Sequence, residues 1–95
     1  GATAPSFGHV VIRYRRQSPG EAESARIAAE LRGAAQVELR PARNPYRVPT
    51  VLYFRPEDRD AALALAQFLG GDGPAWSVRA GQARSKIGSL EAWIP

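Results

Sequence analysis

The sequence predicts a small α+β domain: a ferredoxin-like two-layer sandwich, β-α-β-β-α-β with an additional short C-terminal strand. Both helices should cover one face of an antiparallel sheet. Three observations point there. Two segments with a helical apolar stripe stand between segments with strand patterning. Each strand–helix–strand unit favours a right-handed crossover, which brings a helix back onto its sheet. The chain has 95 residues, enough for one hydrophobic core and no more.

HVVIRYRR (9–16) opens the fold. Val10, Ile12 and Tyr14 fall on one side of a strand over 9–15, and His9, Val11, Arg13 and Arg15 on the other. Ser18-Pro19-Gly20-Glu21 then reads as a capping box: Ser18 at the cap, Pro19 at the first helical position, Glu21 reaching back to the cap nitrogen. Ser24, Ile27, Ala28 and Leu31 keep the spacing of one helical face, and Gly33 closes a helix over 19–32.

QVELR (36–40) alternates again, with Val37 and Leu39 inward and Gln36, Glu38 and Arg40 outward. PARNPYRVP (41–49) holds too many prolines for a helix and reads as a connection. VLYF (51–54), β-branched and aromatic, is a strand beginning near Val48 or Thr50. Arg55-Pro56-Glu57-Asp58 opens a second helix, its acids suited to the positive end of the helix dipole. Ala61, Leu65, Phe68 and Leu69 form its stripe, and Gly70-Gly71 stops it. WSVRA (76–80) is a short strand candidate; a polar loop, 81–89, leads to a stronger one, LEAWI (90–94).

In a ferredoxin-like sheet the first and third strands are central neighbours. The helix-covered face then takes Val10, Ile12, Tyr14, Val37, Leu39, Leu52, Phe54, Leu90, Ala92 and Ile94. The open face takes Val11, Arg13, Arg15, Glu38, Arg40, Val51, Tyr53, Glu91 and Trp93. Alternation does not fix the register near Val48–Phe54. A slip of one residue there hides Tyr53 and exposes Leu52 and Phe54.

Hydrophobic residues at 44% and charged residues at 23% are ordinary for a globular domain. There is no cysteine, which excludes disulfides, thiolate metal sites and cysteine nucleophiles. No apolar run reaches the roughly 20 residues of a membrane helix. The chain starts without Met, and residues 1–8 read as a linker or a cloning scar ahead of a single α+β binding domain over 9–95. The expectation is an excised domain whose targeting segment lies outside this chain.

The formal charge of +4 arises from thirteen basic and nine acidic residues; twelve of the thirteen are Arg. A GC-rich genome accounts for much of that bias, although Arg is also the better partner for planar carboxylate or phosphate groups. Six of the nine acids (Glu21, Glu23, Glu30, Glu57, Asp58, Asp60) lie on the two helices, whereas the strands and loops carry ten of the basic residues. The helix side is therefore mildly acidic and the sheet-and-loop side basic.

Catalytic readings fail on composition. The one histidine begins a strand, no metal-ligand cluster or phosphate-binding glycine loop is present, and no cofactor is called for. A binding surface is better supported. Its candidate residues are Arg13, Arg15, Arg40, Tyr53 and Trp93 on the open face, with Arg43, Tyr46 and Arg47 in the adjoining loop. Each also has a plain structural reading. Arg13 and Arg15 guard a sheet face, Tyr46 anchors its loop, Trp93 locks the last strand, and a neighbouring domain or second copy covers the apolar part of the face.

VVIRY, an Ala-rich helix ending in L-R-G, V-x-Y-F-x-x-E-D, A-x-x-L-A-x-x-L, W-x-V-R and the closing L-E-A-W-I-P span most of residues 9–95. This succession resembles the C-terminal domain of LytR-type bacterial envelope proteins and, more distantly, the SPOR peptidoglycan-binding repeat. The resemblance implies a non-catalytic accessory module of an exported protein in the periplasm or cell envelope, with peptidoglycan or another cell-wall glycan as partner. Tyr53 and Trp93 would stack on sugar rings, and Arg13, Arg15 and Arg40 would pair with lactyl or peptide carboxylates. Two alternatives stand beside it: an RRM-like single-stranded nucleic-acid binder, which ranks behind, and a docking domain that contacts another part of its parent protein.

Overall fold

A computed structural model describes residues 7–82 and 88–95 of the chain. Five strands form one mixed sheet: β1 (His9–Tyr14), β2 (Gln36–Pro41), β3 (Thr50–Tyr53), β4 (Ser77–Ala80) and β5 (Ser89–Trp93). Two helices, α1 (Pro19–Leu31) and α2 (Arg59–Gly70), complete the fold, and a single 3₁₀ turn, Pro56–Asp58, precedes α2. The strand order is β2-β1-β5-β3-β4.

The domain is thus a small two-layer α+β sandwich, with a strand order different from the ferredoxin-like one. β1 and β3 are not neighbours, because β5 lies between them, parallel to β1 and antiparallel to β3. β1 and β2 are parallel, as are β3 and β4, so the sheet is mixed rather than antiparallel. The fold is two adjacent βαβ units joined through the last strand. Side-chain content explains the placement. β5 brings Leu90, Ala92 and, just past its end, Ile94, all at most 4% exposed, and takes the centre. β2 and β4, the most polar strands, take the edges.

One core joins both helices to one sheet face. Ile27 and Leu31 of α1, and Ala62, Leu65, Ala66 and Leu69 of α2, cluster with Val10, Ile12, Val51, Leu90 and Ala92. Truncating a fully buried member such as Ile12 to Ala would cost about 2–5 kcal/mol. Phe68, placed in the stripe of α2 by its spacing, sits at the border of the core, 38% exposed, with its ring 5.8 Å from that of Phe7. Phe7 itself is buried, and its N–H donates to Ala34 O. Phe7, which precedes the first strand, is thus part of the core.

Gly8 has φ +69°, and a Cβ there would lie 2.7 Å from Gly88 O, so only glycine lets β1 start this close to β5. Asp58, buried at the head of α2, accepts from Gly88 N–H at 2.8 Å and ties that helix to the same point. The capping box expected ahead of α1 does not form, since the Ser18 side chain accepts no helix N–H. Ser18 Oγ donates to Arg15 O, and Glu21 Oε2 accepts from Gln17 N–H rather than that of Ser18.

β3 takes the shifted register. Val51 faces Ala92 and Tyr53 faces Leu90, both on the helix side, whereas Thr50 and Leu52 share the opposite side with Trp93 and Glu91. Leu52 is nevertheless 6% exposed and Thr50 0%, so both sides of β3 are covered. The expectation that Leu52 and Phe54 line the core while Val51 and Tyr53 lie open is overturned. Four consecutive apolar residues carry no alternation to read when both faces are buried.

Candidate functional site

The face away from the helices is built from alternate residues of each strand, and the pairing registers align them in rows. Arg40, Arg13, Trp93, Thr50 and Ser77 form one row across the sheet; Glu38, Val11, Glu91, Leu52 and Arg79 form the next. Opposite charges meet between these two rows. Arg13 Nη2 donates to Glu91 Oε2 at 3.2 Å, and Trp93 Nε1 donates to Glu91 Oε1 at 3.0 Å. The Arg13 guanidinium also lies 5.8 Å from the Trp93 ring centroid, while its Nε is buried with no partner among the described residues. Arg40 pairs with Glu38 on its own strand, and Glu38 lies 3.6 Å from His9 Nε2.

The connection 42–49 passes over the end of the sheet where β1 and β5 finish. Ala42 N–H donates to Tyr14 O, Asn44 Nδ2 donates to Ile94 O at 2.6 Å, and Tyr46 N–H donates to Asn44 Oδ1 at 2.7 Å. The Asn44 turn aims Tyr46 back onto the sheet. There its ring meets Trp93 edge-on, with Arg79 lying over it at 5.8 Å. Trp93 and Tyr46 are thus first of all the clamp that holds this loop down. Tyr46 thus anchors its loop on the open face rather than on the core, and part of each ring is taken up by this contact.

Tyr53 takes no part. Half-buried, it packs against the helix-side core, and its inclusion among open-face residues is corrected by the register of β3. Arg13 and Arg40 do lie on the open face, but their charge is matched by Glu91 and Glu38.

The unmatched charge is at the rim. Beyond the carboxyl ends of the parallel pair β1 and β2, Arg15, Arg16 and Arg43 line a crevice of about 490 Å³ floored by Pro41 and Ala42. All three arginines are exposed, and none has an acidic partner among the described residues. The acid that begins α1, Glu21, is already engaged by Gln17 N–H. Arg47, also exposed, follows Tyr46 on the same loop. Three guanidinium groups around one crevice repel one another, and an anion relieves that repulsion with paired, charge-assisted hydrogen bonds.

Arg15, Arg43, Tyr46 and Arg47 are thus brought to one end of the sheet. Arg16 and Arg79 complete the arrangement without having been singled out by the sequence. The signal for Arg16 was its place beside Arg15 at the strand end, where alternation stops and both side chains can turn to the same crevice. The basic residues Arg84 and Lys86 lie outside the described residues.

Among the described residues, no three acidic or histidine side chains converge as a metal site requires, and no helix is long and apolar enough to cross a membrane. Comparison with protein-family models, with curated proteins and with solved structures gave no match to this chain.

Proposed function

We propose that this chain is a non-catalytic binding module of an exported bacterial envelope protein, and that it takes peptidoglycan through the arginine rim of its open face. The observation that carries this reading is the Arg15–Arg16–Arg43 crevice, where three guanidinium groups stand without acids among the described residues. Its volume falls within the roughly 300–1,000 Å³ of small-ligand sites. Peptidoglycan stem peptides end in carboxylates held beside a glycan strand, and that pattern suits an arginine cluster next to a part-exposed tyrosine. The carboxylates pair with Arg15, Arg16 and Arg43, and a sugar ring rests against Tyr46. The envelope setting is supported by the resemblance to the LytR C-terminal domain.

A binding role is also favoured by what lies elsewhere. His9, the one imidazole, sits at the opposite end of β1, about 20 Å from the crevice at ~3.3 Å per residue. The one imidazole is therefore out of reach of a ligand held by the arginines. The RRM-like alternative loses support from the inward turn of Tyr53, because stacking of successive bases needs aromatic rings exposed on neighbouring central strands.

Co-sedimentation with purified peptidoglycan tests the reading. The wild-type chain should pellet with it at low salt and be released as salt rises. The triple variant R15A/R16A/R43A, altered only at exposed positions, should remain in the supernatant. A triple variant that pellets like wild type would overturn the proposal, as would retention by single-stranded RNA and not by peptidoglycan.

A further inference from the structure

We infer that the free edge of β2 is a self-association surface, on which two copies of this chain join their sheets through antiparallel β2 strands. β2 is an edge strand. Gln36 N–H donates to Gly8 O and Ala42 N–H to Tyr14 O, and the in-register parallel ladder between them turns Glu38 and Arg40 toward β1 as well. By alternation, the backbone groups of Val37 and Leu39 and the carbonyl of Pro41 point away from the sheet. Leu39 is 42% exposed, a large apolar side chain on an open strand edge.

The side chains select the occupant. Cross-strand partners must lie on the same face, so a symmetric antiparallel pair can centre only on a residue, and each centre sets a different match. Centring on Glu38 or on Arg40 sets like charges against each other. Centring on Val37 leaves Arg40 beyond the strand of the second copy. Centring on Leu39 sets Glu38 opposite Arg40 of the second copy, and Arg40 opposite its Glu38. In that register Leu39 exchanges backbone bonds with its own counterpart. Val37 N–H meets the Pro41 carbonyl of the second copy, so the missing proline donor falls at the end of the ladder, where it matters least.

The helix side fits the same arrangement. A depression of about 370 Å³ beside β2 is lined by Ala28, Arg32, Ala35, Val37 and Leu39. The two-fold axis stands perpendicular to the sheet, so the second copy's α1 lies on the same face and closes this depression with small side chains. The interface is short and polar at one margin, which places it among weak, concentration-dependent contacts. The opposite edge, β4, offers no comparable self-match: Ser77 and Arg79 share one face and only Val78 and Ala80 the other.

Sedimentation equilibrium from micromolar to millimolar concentration tests this, with circular dichroism confirming that each variant is folded. Wild type should show a monomer–dimer equilibrium. Leu39→Glu should weaken it by roughly tenfold or more, Glu38→Arg and Arg40→Glu should each weaken it, and the double charge swap E38R/R40E should restore it. A monomer at every concentration overturns the inference. So does a dimer indifferent to Leu39→Glu, or one that the double swap fails to restore. None of the substituted residues, Glu38, Leu39 and Arg40, lines the arginine crevice, so these variants test the contact separately from the peptidoglycan reading.

Discussion

The Tyr46 ring stands 5.5 Å from that of Trp93 at an interplanar angle of 72°, joining the loop after β2 to the strand at the centre of the sheet. This contact turns a Pro-rich connection into part of the open face, and it sets where Arg43 can reach.

Tyr46→Ala should therefore act in two ways. Loss of the edge contact and of part of the ring burial should cost about 1–2 kcal/mol, read from urea unfolding followed by tryptophan fluorescence. Binding of peptidoglycan should weaken as well, because the loop that carries Arg43 is no longer held. Tyr53→Phe, on the helix side, should leave binding unchanged.

Glu91 is the hub of the open face, accepting from both Arg13 and Trp93. Glu91→Ala leaves a largely buried guanidinium without its acid and should cost about 1–3 kcal/mol. Replacing both partners with apolar residues, Arg13→Met with Glu91→Leu, should cost less than Glu91→Ala alone. A double-mutant cycle by denaturant unfolding checks the order. Equal costs for the single and double variants would show that the pair itself contributes little.

Which parts of this arrangement could be read in advance follows from the range of the interactions. The stripes of α1 and α2 are local, and Ile27, Leu31, Leu65 and Leu69 are buried as their spacing requires. β1 and β5 have one covered and one partly open face, so their alternation was legible and placed Arg13, Glu91 and Trp93 correctly. β3 is covered on both sides, so its VLYF run fits either register; the choice is made by pairing with a strand some forty residues further along the chain. The insertion of β5 between the two βαβ units is equally non-local. The Arg13–Glu91 pair spans a sequence separation of 78, which is why Arg13 reads as a free cation in sequence and as a partnered one in the fold.

On α1, Glu23 is held below the usual carboxylate range by its hydrogen bond from Arg26, with slight burial opposing and the Arg26 charge adding to the effect. A carboxylate with a depressed folded-state pKa contributes stability above its unfolded pKa of about 4.3, and loses it as pH falls through the lower folded value. Glu23→Gln should thus lower the melting temperature slightly at pH 7, and its curve should converge with that of wild type in strong acid. High salt should shrink the neutral-pH difference, since the pair is exposed.

The most direct measurement is an NMR titration of the ¹⁵N-labelled chain with soluble peptidoglycan fragments and, separately, with single-stranded RNA, following arginine Nε–H and tryptophan Nε1–H signals. The expected result is saturable shifts at Arg15, Arg16 and Arg43 with the glycan peptide, a smaller response at Trp93, little change at Arg13, and no saturation with RNA. Shifts centred on Arg13 and Arg40 with the rim silent, or saturation by RNA alone, would contradict an anion site formed by the three arginines at the ends of β1 and β2.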